Sequence, residues 1–345
     1  MIKRHTTLLL AAIFVSIVAF AFLNLLLGTV RIPASDVFNI ILGGGCSNEI
    51  WENIIVKSRL PQALTAIFAG AGLSVAGLLM QTVFRNPLAG PSVLGISSGA
   101  SLGVAFVILM SGIMGQALSQ LGFFGEFAVT IAAIIGAMGV MGVIIFVSQK
   151  VKGNVTLLII GVMIGHIATA IIGVLKFFSV EEDIRAYVIW GLGSFAKVSG
   201  GQMVLFCTIM AVLIPLSMLL IKTLNLLLLG DGYARNLGLN IKRARFYVIL
   251  AAGVLVAIVT AYCGPISFIG LAVPHLCRGI FQTSDHRILM PATVLAGASL
   301  ALICNLIARM PGFEGVLPVN SVTALIGAPV VVSVLFRKRK NEIGE

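Results

Sequence analysis

From Thr7 to Val30 the chain runs without a single charged side chain, and further apolar windows of similar length follow it. A run of roughly 20 apolar residues is long enough to cross about 30 Å of hydrocarbon. Inside lipid every backbone N–H and C=O must be satisfied within the protein, which leaves helices and closed barrels. Barrel strands alternate apolar and polar residues, and these windows do not. An all-α integral membrane protein is therefore expected. Only 10% of the 345 residues are charged, against about 25% in soluble domains. The apolar windows place ten transmembrane helices near 7–30, 62–84, 92–110, 123–148, 155–178, 202–222, 244–262, 270–281, 290–308 and 319–336, in one transmembrane domain over 1–345. Abundant glycine, 38 residues, suits close helix packing.

Two of these helices are interrupted. The stretch Gln81 to Gly103 breaks at Pro87 and Pro91 and restarts in small residues, and Gly264 to Phe281 breaks around Pro265. Proline removes a backbone donor and clashes with the preceding turn. Such breaks are tolerated at membrane depth only where protein or a water-filled cavity covers them. The first break follows a helix running inward and the second a helix running outward. Like anatomy in opposite directions gives the chain an inverted-repeat character, a pointer to a transporter.

Charge sets the orientation. Sixteen of the 23 Lys and Arg fall on the side of the N-terminus, and eight of the twelve Asp and Glu fall on the other. By the positive-inside rule both termini are cytoplasmic. The same asymmetry accounts for the basic composition through membrane orientation, and no nucleic-acid partner is expected. The N-terminus has signal-peptide features in Lys3, Arg4 and Ala19-Phe20-Ala21. Its apolar run is too long for a cleaved signal and reads as a retained first helix. None of the cysteines Cys46, Cys207, Cys263, Cys277 and Cys304 lies in a CxxC pair; they read as small buried hydrophobes.

All twelve carboxylates fall in loops or at span ends, so no buried acid presents itself as a carrier of a coupling ion. An ion-coupled secondary transporter remains the alternative, because backbone carbonyls at broken helices can bind sodium. A membrane enzyme would need a catalytic cluster, and none is visible; no catalytic or metal-ligating residue is assigned. There is no G-x-x-x-x-G-K-[ST] phosphate loop, so a pump built on this chain must draw on a separate ATPase. The loop Leu229 to Asn240, within a coupling segment 229–241, suits such a partner. Asp231 is expected to cap a short helix, Gly238 to end it, and Ala234 and Leu237 to share one face.

Four stretches carry a family resemblance: RLPQALTAIFAGAGLSVAGLLMQTVFRNPLAGPSVLG, LGDGYARNLG, GPISFIGLAVPHLCR and LPVNSVTALIGAP. The chain resembles the FecCD-type permease subunits of type II ABC importers, which take up iron-siderophores, haem and cobalamin. The resemblance implies a permease that is not itself an enzyme and binds no cofactor. It implies a homodimer in the bacterial cytoplasmic (inner) membrane, with a path on the two-fold axis. Two cytoplasmic ATPase subunits would hold ATP and Mg, and a substrate-binding protein would dock outside. It places ATPase coupling at Gly230, Asp231, Ala234, Leu237 and Gly238. The cytoplasmic gate falls at Asn86, Pro87, Leu88, Asn154 and Val155. Docking of the binding protein falls to Arg59 and Arg309, with Gln62 where some members carry a second arginine. His166 reads either as a path-lining residue or as a packed histidine bonded to a neighbour.

Overall fold

The computed structural model describes residues 2–44, 48–110, 123–151, 154–198, 200–310 and 316–343. Cys46 and Lys152 lie outside the described residues, as does the side chain of Asn154. The helices in chain order are α1 (Ile2–Leu26), α2 (Ala34–Ile41), α3 (Glu49–Ile54), α4 (Leu60–Phe84), α5 (Ile96–Leu109), α6 (Phe123–Lys150), α7 (Asn154–Phe177), α8 (Glu181–Gly191), α9 (Gly200–Met218), α10 (Ile221–Leu228), α11 (Asp231–Asn236), α12 (Ile241–Cys263), α13 (Ile269–Phe281), α14 (His286–Ala308) and α15 (Val319–Ile343). Seven helical segments are long and apolar enough to cross a membrane, and three shorter apolar helices stand beside them: Ile96–Leu109, Ile269–Phe281 and Val319–Ser333. Each of these ten overlaps one of the ten apolar windows, though only seven have the length of a full span. The expected outer loops carry helices of their own, α2, α3 and α8.

The bundle is organised around α4. In its most apolar window 83% of residues are buried, against 11% for α1, which makes α4 the core and α1 the rim. Small residues let its neighbours close in. A Cβ on Gly77 would lie 1.7 Å from the Gly270 carbonyl oxygen of α13, and one on Gly70 would lie 2.3 Å from that of Gly297 on α14. Helices that share an apolar solvent with lipid gain little from burial alone and associate through such close approach and through hydrogen bonds. Polar bonds are present: Asn305 donates to Asn24 at 2.8 Å, and Asn24 donates to the Leu302 carbonyl at 3.0 Å, tying α1 to α14.

Glycines expected to pack divide in two. Gly136 faces the Gly99 backbone, and Gly161 and Gly165 face Leu94, Gly95 and Ser98, whereas Gly139 and Gly142 meet nothing within 4 Å. The last two leave an open helix face.

Both breaks are built. Arg85, in the left-handed region at φ 48°, ends α4, and a 3-10 turn Pro91–Leu94 leads into α5. The second break is held from outside. Ser194 N–H donates to the Cys263 carbonyl at 2.8 Å, and Asn320 of α15 accepts from Ser267 N–H at 2.9 Å. Tyr187 and Trp190 of α8 are buried over this region. Phe268 takes up a left-handed conformation at φ 66° and starts α13; a non-glycine there is strained and persists because its surroundings over-determine it.

Candidate functional site

At the basic face of the bundle four elements meet at the end of α4. Arg85 donates to Asp231 of α11 at 2.6 Å and to the Leu227 carbonyl of α10 at 3.0 Å. Asp231 also accepts from Arg245 of α12 at 2.7 Å. One carboxylate thus joins the end of α4 to the second turn of α12. A second connection runs through His286 at the start of α14. Its Nε2 lies 2.8 Å from the Thr82 hydroxyl of α4, and its Nδ1 lies 2.7 Å from Asn225 Oδ1 of α10. Asn225 in turn donates to Asp285 at 2.7 Å. One turn deeper, Arg278 of α13 donates to Gln81, which donates to the Leu271 carbonyl at 3.1 Å. The short helix α11 and the end of α4 are therefore one mechanical unit. Sequence reasoning missed Arg85, Asn225 and His286 in this unit. Their signal was the clustering of polar residues at span ends, which also describes ordinary interfacial anchors.

The coupling segment departs from expectation in two ways. Gly230, at φ 104°, is the N-cap of α11, and Asp231 is its first helical residue with no side-chain cap bond. Its carboxylate is drawn instead to Arg85 and Arg245. Ala234 is completely buried, while Tyr233 and Leu237 are 73% and 61% exposed. The face that Ala234 was expected to share with Leu237 is turned into the protein at Ala234. Tyr233 and Leu237, at spacing i, i+4, form the exposed apolar stripe of α11, and Leu229, before the break at Gly230, is exposed as well. Gly238 ends the helix as expected, at φ 86°. Its N–H bonds the Arg235 carbonyl and that of Leu239 bonds Ala234, the Schellman pattern.

Of the expected gate residues, Asn86 accepts from Leu88 N–H at 2.9 Å and fixes a tight turn through Pro87. Leu88 and Val155 expose their apolar side chains. Above the turn, the restarted helix lies against α7 along a cavity of about 320 Å³ lined by Ser92, Gly95, Ser98, Gly165, His166 and Thr169. His166 is exposed there. It makes no hydrogen bond to the described residues, which removes the packed, bonded reading. Around it α7 exposes Ile159, Met163, Ile167 and Val174, an apolar face that this chain leaves uncovered.

At the opposite face Arg59 and Arg309 come together. A Cβ on Gly28 would lie 3.0 Å from one Arg59 Nη and 3.1 Å from one Arg309 Nη. Both were expected to face outward. Arg59 is instead turned inward, 1% exposed, donating to the Leu25 carbonyl at 2.6 Å, to Leu26 at 2.8 Å and to Val30. The orphan carbonyls at the end of α1 capture it. Arg309 is half-buried, and its Nη1 has no hydrogen-bond partner among the described residues. Burial, and then the neighbouring charge of Arg59, pull its pKa down to about 10. Two guanidinium groups are thus crowded together at this face. Gln62 is buried and bonds Ser58.

The sequence profile of the FecCD transport family matches residues 13–337. The chain belongs to the FecCD transport family. It is 33% identical over 321 residues to the hemin transport system permease protein HmuU of Yersinia pestis, covering 93% of this chain and 94% of that one. It is 37% identical over 306 residues to the vitamin B12 import system permease protein BtuC of Klebsiella pneumoniae, covering 85% and 89%. A solved metal-chelate type ABC transporter in an inward-facing conformation superposes with TM-score 0.82 at 28% identity, covering 95% of this chain and 98% of that one. This FecCD protein is a multi-pass membrane permease, a transport component.

Proposed function

We propose that this chain is the permease subunit of an ATP-driven importer for a metal chelate or corrinoid: an iron-siderophore, haem or cobalamin. It works as a homodimer in the cytoplasmic membrane with both termini inside. Two ATPase subunits, carrying ATP and Mg, attach at the basic face, and a substrate-binding protein docks at the other. The chain holds no cofactor of its own. The observation that carries this reading is the Arg85–Asp231–Arg245 bridge, because it ties a surface helix with an exposed apolar stripe to the end of the central broken helix. Movement imposed on α11 by an ATPase reaches the Asn86–Leu88 turn directly. The uncovered face of α7 faces a second copy, and the cavity at His166 then opens on the path between them. Asn154 and Val155 at the start of α7 close that path from the cytoplasm together with Leu88. None of the described carboxylates is buried, so an ion-coupled cycle finds no acidic carrier here.

The stripe gives the test of ATPase docking. Tyr233→Glu combined with Leu237→Glu places two charges in an apolar contact and should weaken binding of the partner ATPase by at least about tenfold, or ~1.4 kcal/mol. The dimer should survive, since both side chains project outward. Co-purification and ATP hydrolysis at wild-type levels would refute the assignment. The outer pair gives another. Arg309→Glu should slow association of the binding protein roughly tenfold at low salt, an effect that fades within the screening range of physiological salt. Arg59→Gln should instead lower the thermal midpoint, because Arg59 holds the end of α1. Equal docking rates for wild type and Arg309→Glu across salt would rule out a role for the pair in docking.

A further inference from the structure

We infer that each chain carries a site for one anionic phospholipid between the basic-face ends of α6 and α12, with its acyl chain along the groove between α9 and α12. The inference rests on the reading of these helices as membrane spans with this face cytoplasmic. A cavity of about 500 Å³ is lined there by Lys150, Lys242, Arg243, Gln149, Phe246 and Tyr247. Its three cations have no acidic partner among the described residues, since Asp231 is already engaged by Arg85 and Arg245. The ammonium of Lys150 rests over the Phe146 ring at 4.4 Å. Lys242 and Arg243 stand in the first turn of α12, which contains no acid. A helix N-terminus is the positive end of its dipole, so the placement repels both side chains until an anion joins them.

A second cavity of about 330 Å³ adjoins the first at Tyr247, which lines both. It is almost wholly apolar, walled by Leu213, Leu216, Leu219, Leu220, Leu250 and Val254. A cationic pocket that leads into an apolar groove matches an amphiphile. A small soluble anion would use the first chamber and leave the second empty. A zwitterionic lipid would bring its own ammonium among three cations. An anionic phospholipid satisfies both chambers, its headgroup the first and its acyl chain the second, and basic pockets between helices at the cytoplasmic interface are suited to such headgroups. Phe246 and Tyr247, stacked edge to face with centroids 5.3 Å apart, supply the aromatic body favoured at that depth.

The test is native mass spectrometry of the full-length dimer with phosphatidylglycerol or phosphatidylcholine of matched acyl chains. The wild type should retain phosphatidylglycerol about tenfold more. Lys150→Gln, Lys242→Gln and Arg243→Gln together should bring retention down to the phosphatidylcholine level, and all three side chains are exposed, so the dimer should persist. Val254→Trp fills the groove without changing charge and should also lower retention. No preference in the wild type, or a preference kept by both variants, would overturn the inference. So would complete displacement by millimolar inorganic phosphate, which would make this a soluble-anion site. Arg243→Cys in a cysteine-free background tests the orientation separately: labelling by an impermeant thiol reagent from outside overturns the cytoplasmic placement, even with the lipid preference intact.

Discussion

Replacing Asp231 with alanine should reduce substrate uptake into proteoliposomes by more than about tenfold while the assembled complex continues to hydrolyse ATP. The carboxylate bridges Arg85 at 2.6 Å and Arg245 at 2.7 Å, and both it and Arg85 are more than a third exposed. Exposed ion pairs contribute only about 0–1 kcal/mol to stability, so the thermal midpoint should hardly move. That separation makes the experiment decisive: the bridge is needed for transmission and barely for folding. Arg85 would keep its bond to the Leu227 carbonyl, and His286 would still hold Asn225. The remaining connection is to α10, which leaves α11 free to move without α4. Asp231→Glu should recover part of the uptake, since the longer acid can reach one arginine. Uptake per ATP equal to the wild type in Asp231→Ala would sink the coupling role.

Gly77→Val should prevent recovery of folded protein. The first added carbon meets the Gly270 carbonyl at 1.7 Å, inside any real contact, and the obstacle is backbone that cannot rotate away. Overpacking in well-filled cores costs about 1–3 kcal/mol or more. Here the cost compounds, because Gln81 bonds Leu271 and Arg278 one turn further along the same seam. Prising α4 from α13 would strip the Arg278 charge of its partner. Gly139→Val supplies the matched control, since a Cβ added there meets nothing within 4 Å among the described residues outside its own helical turn. Yield of monodisperse protein after size exclusion, and the thermal midpoint, should fall sharply for the first and stay near wild type for the second. Similar behaviour of the two would contradict the central packing.

The long helices, both breaks and the end of α11 were legible in the sequence because each has a local cause. Apolar length sets a span, Pro87, Pro91 and Pro265 deny helix continuation, and Gly238 admits a left-handed residue. The roles of Ala234 and Arg59 were not legible. A six-residue helix has no periodicity long enough to reveal which side it buries, so contact with the body of the protein decides that Leu237 faces out and Ala234 in. Arg59 sits at a span end, where a guanidinium may go to water, headgroup or backbone; it went to the orphan carbonyls of α1, a tertiary outcome. Asp231 has the chemistry of a helix cap. Arg85 and Arg245 outcompeted the backbone for it, Arg85 from 146 residues away and Arg245 from across the turn into α12.

From Glu49 to Phe84 the helix is continuous over 36 residues, α3 passing into α4 through a π-helical turn at Ile55–Arg59. At 1.5 Å per residue it is about 54 Å long, well beyond the hydrocarbon thickness. Arg59, beside Arg309 at one end, and Arg85, bridged to α11 at the other, are thus carried by one rod. In the proposed importer, any shift of that rod on docking outside would couple to how tightly the ATPases hold nucleotide inside, by the same factor in both directions. Measuring the affinity for nucleotide with and without the binding protein would therefore report the stiffness of a single helix, and the π-helical turn, carrying one residue more than its ladder needs, is the place where that stiffness could be tuned.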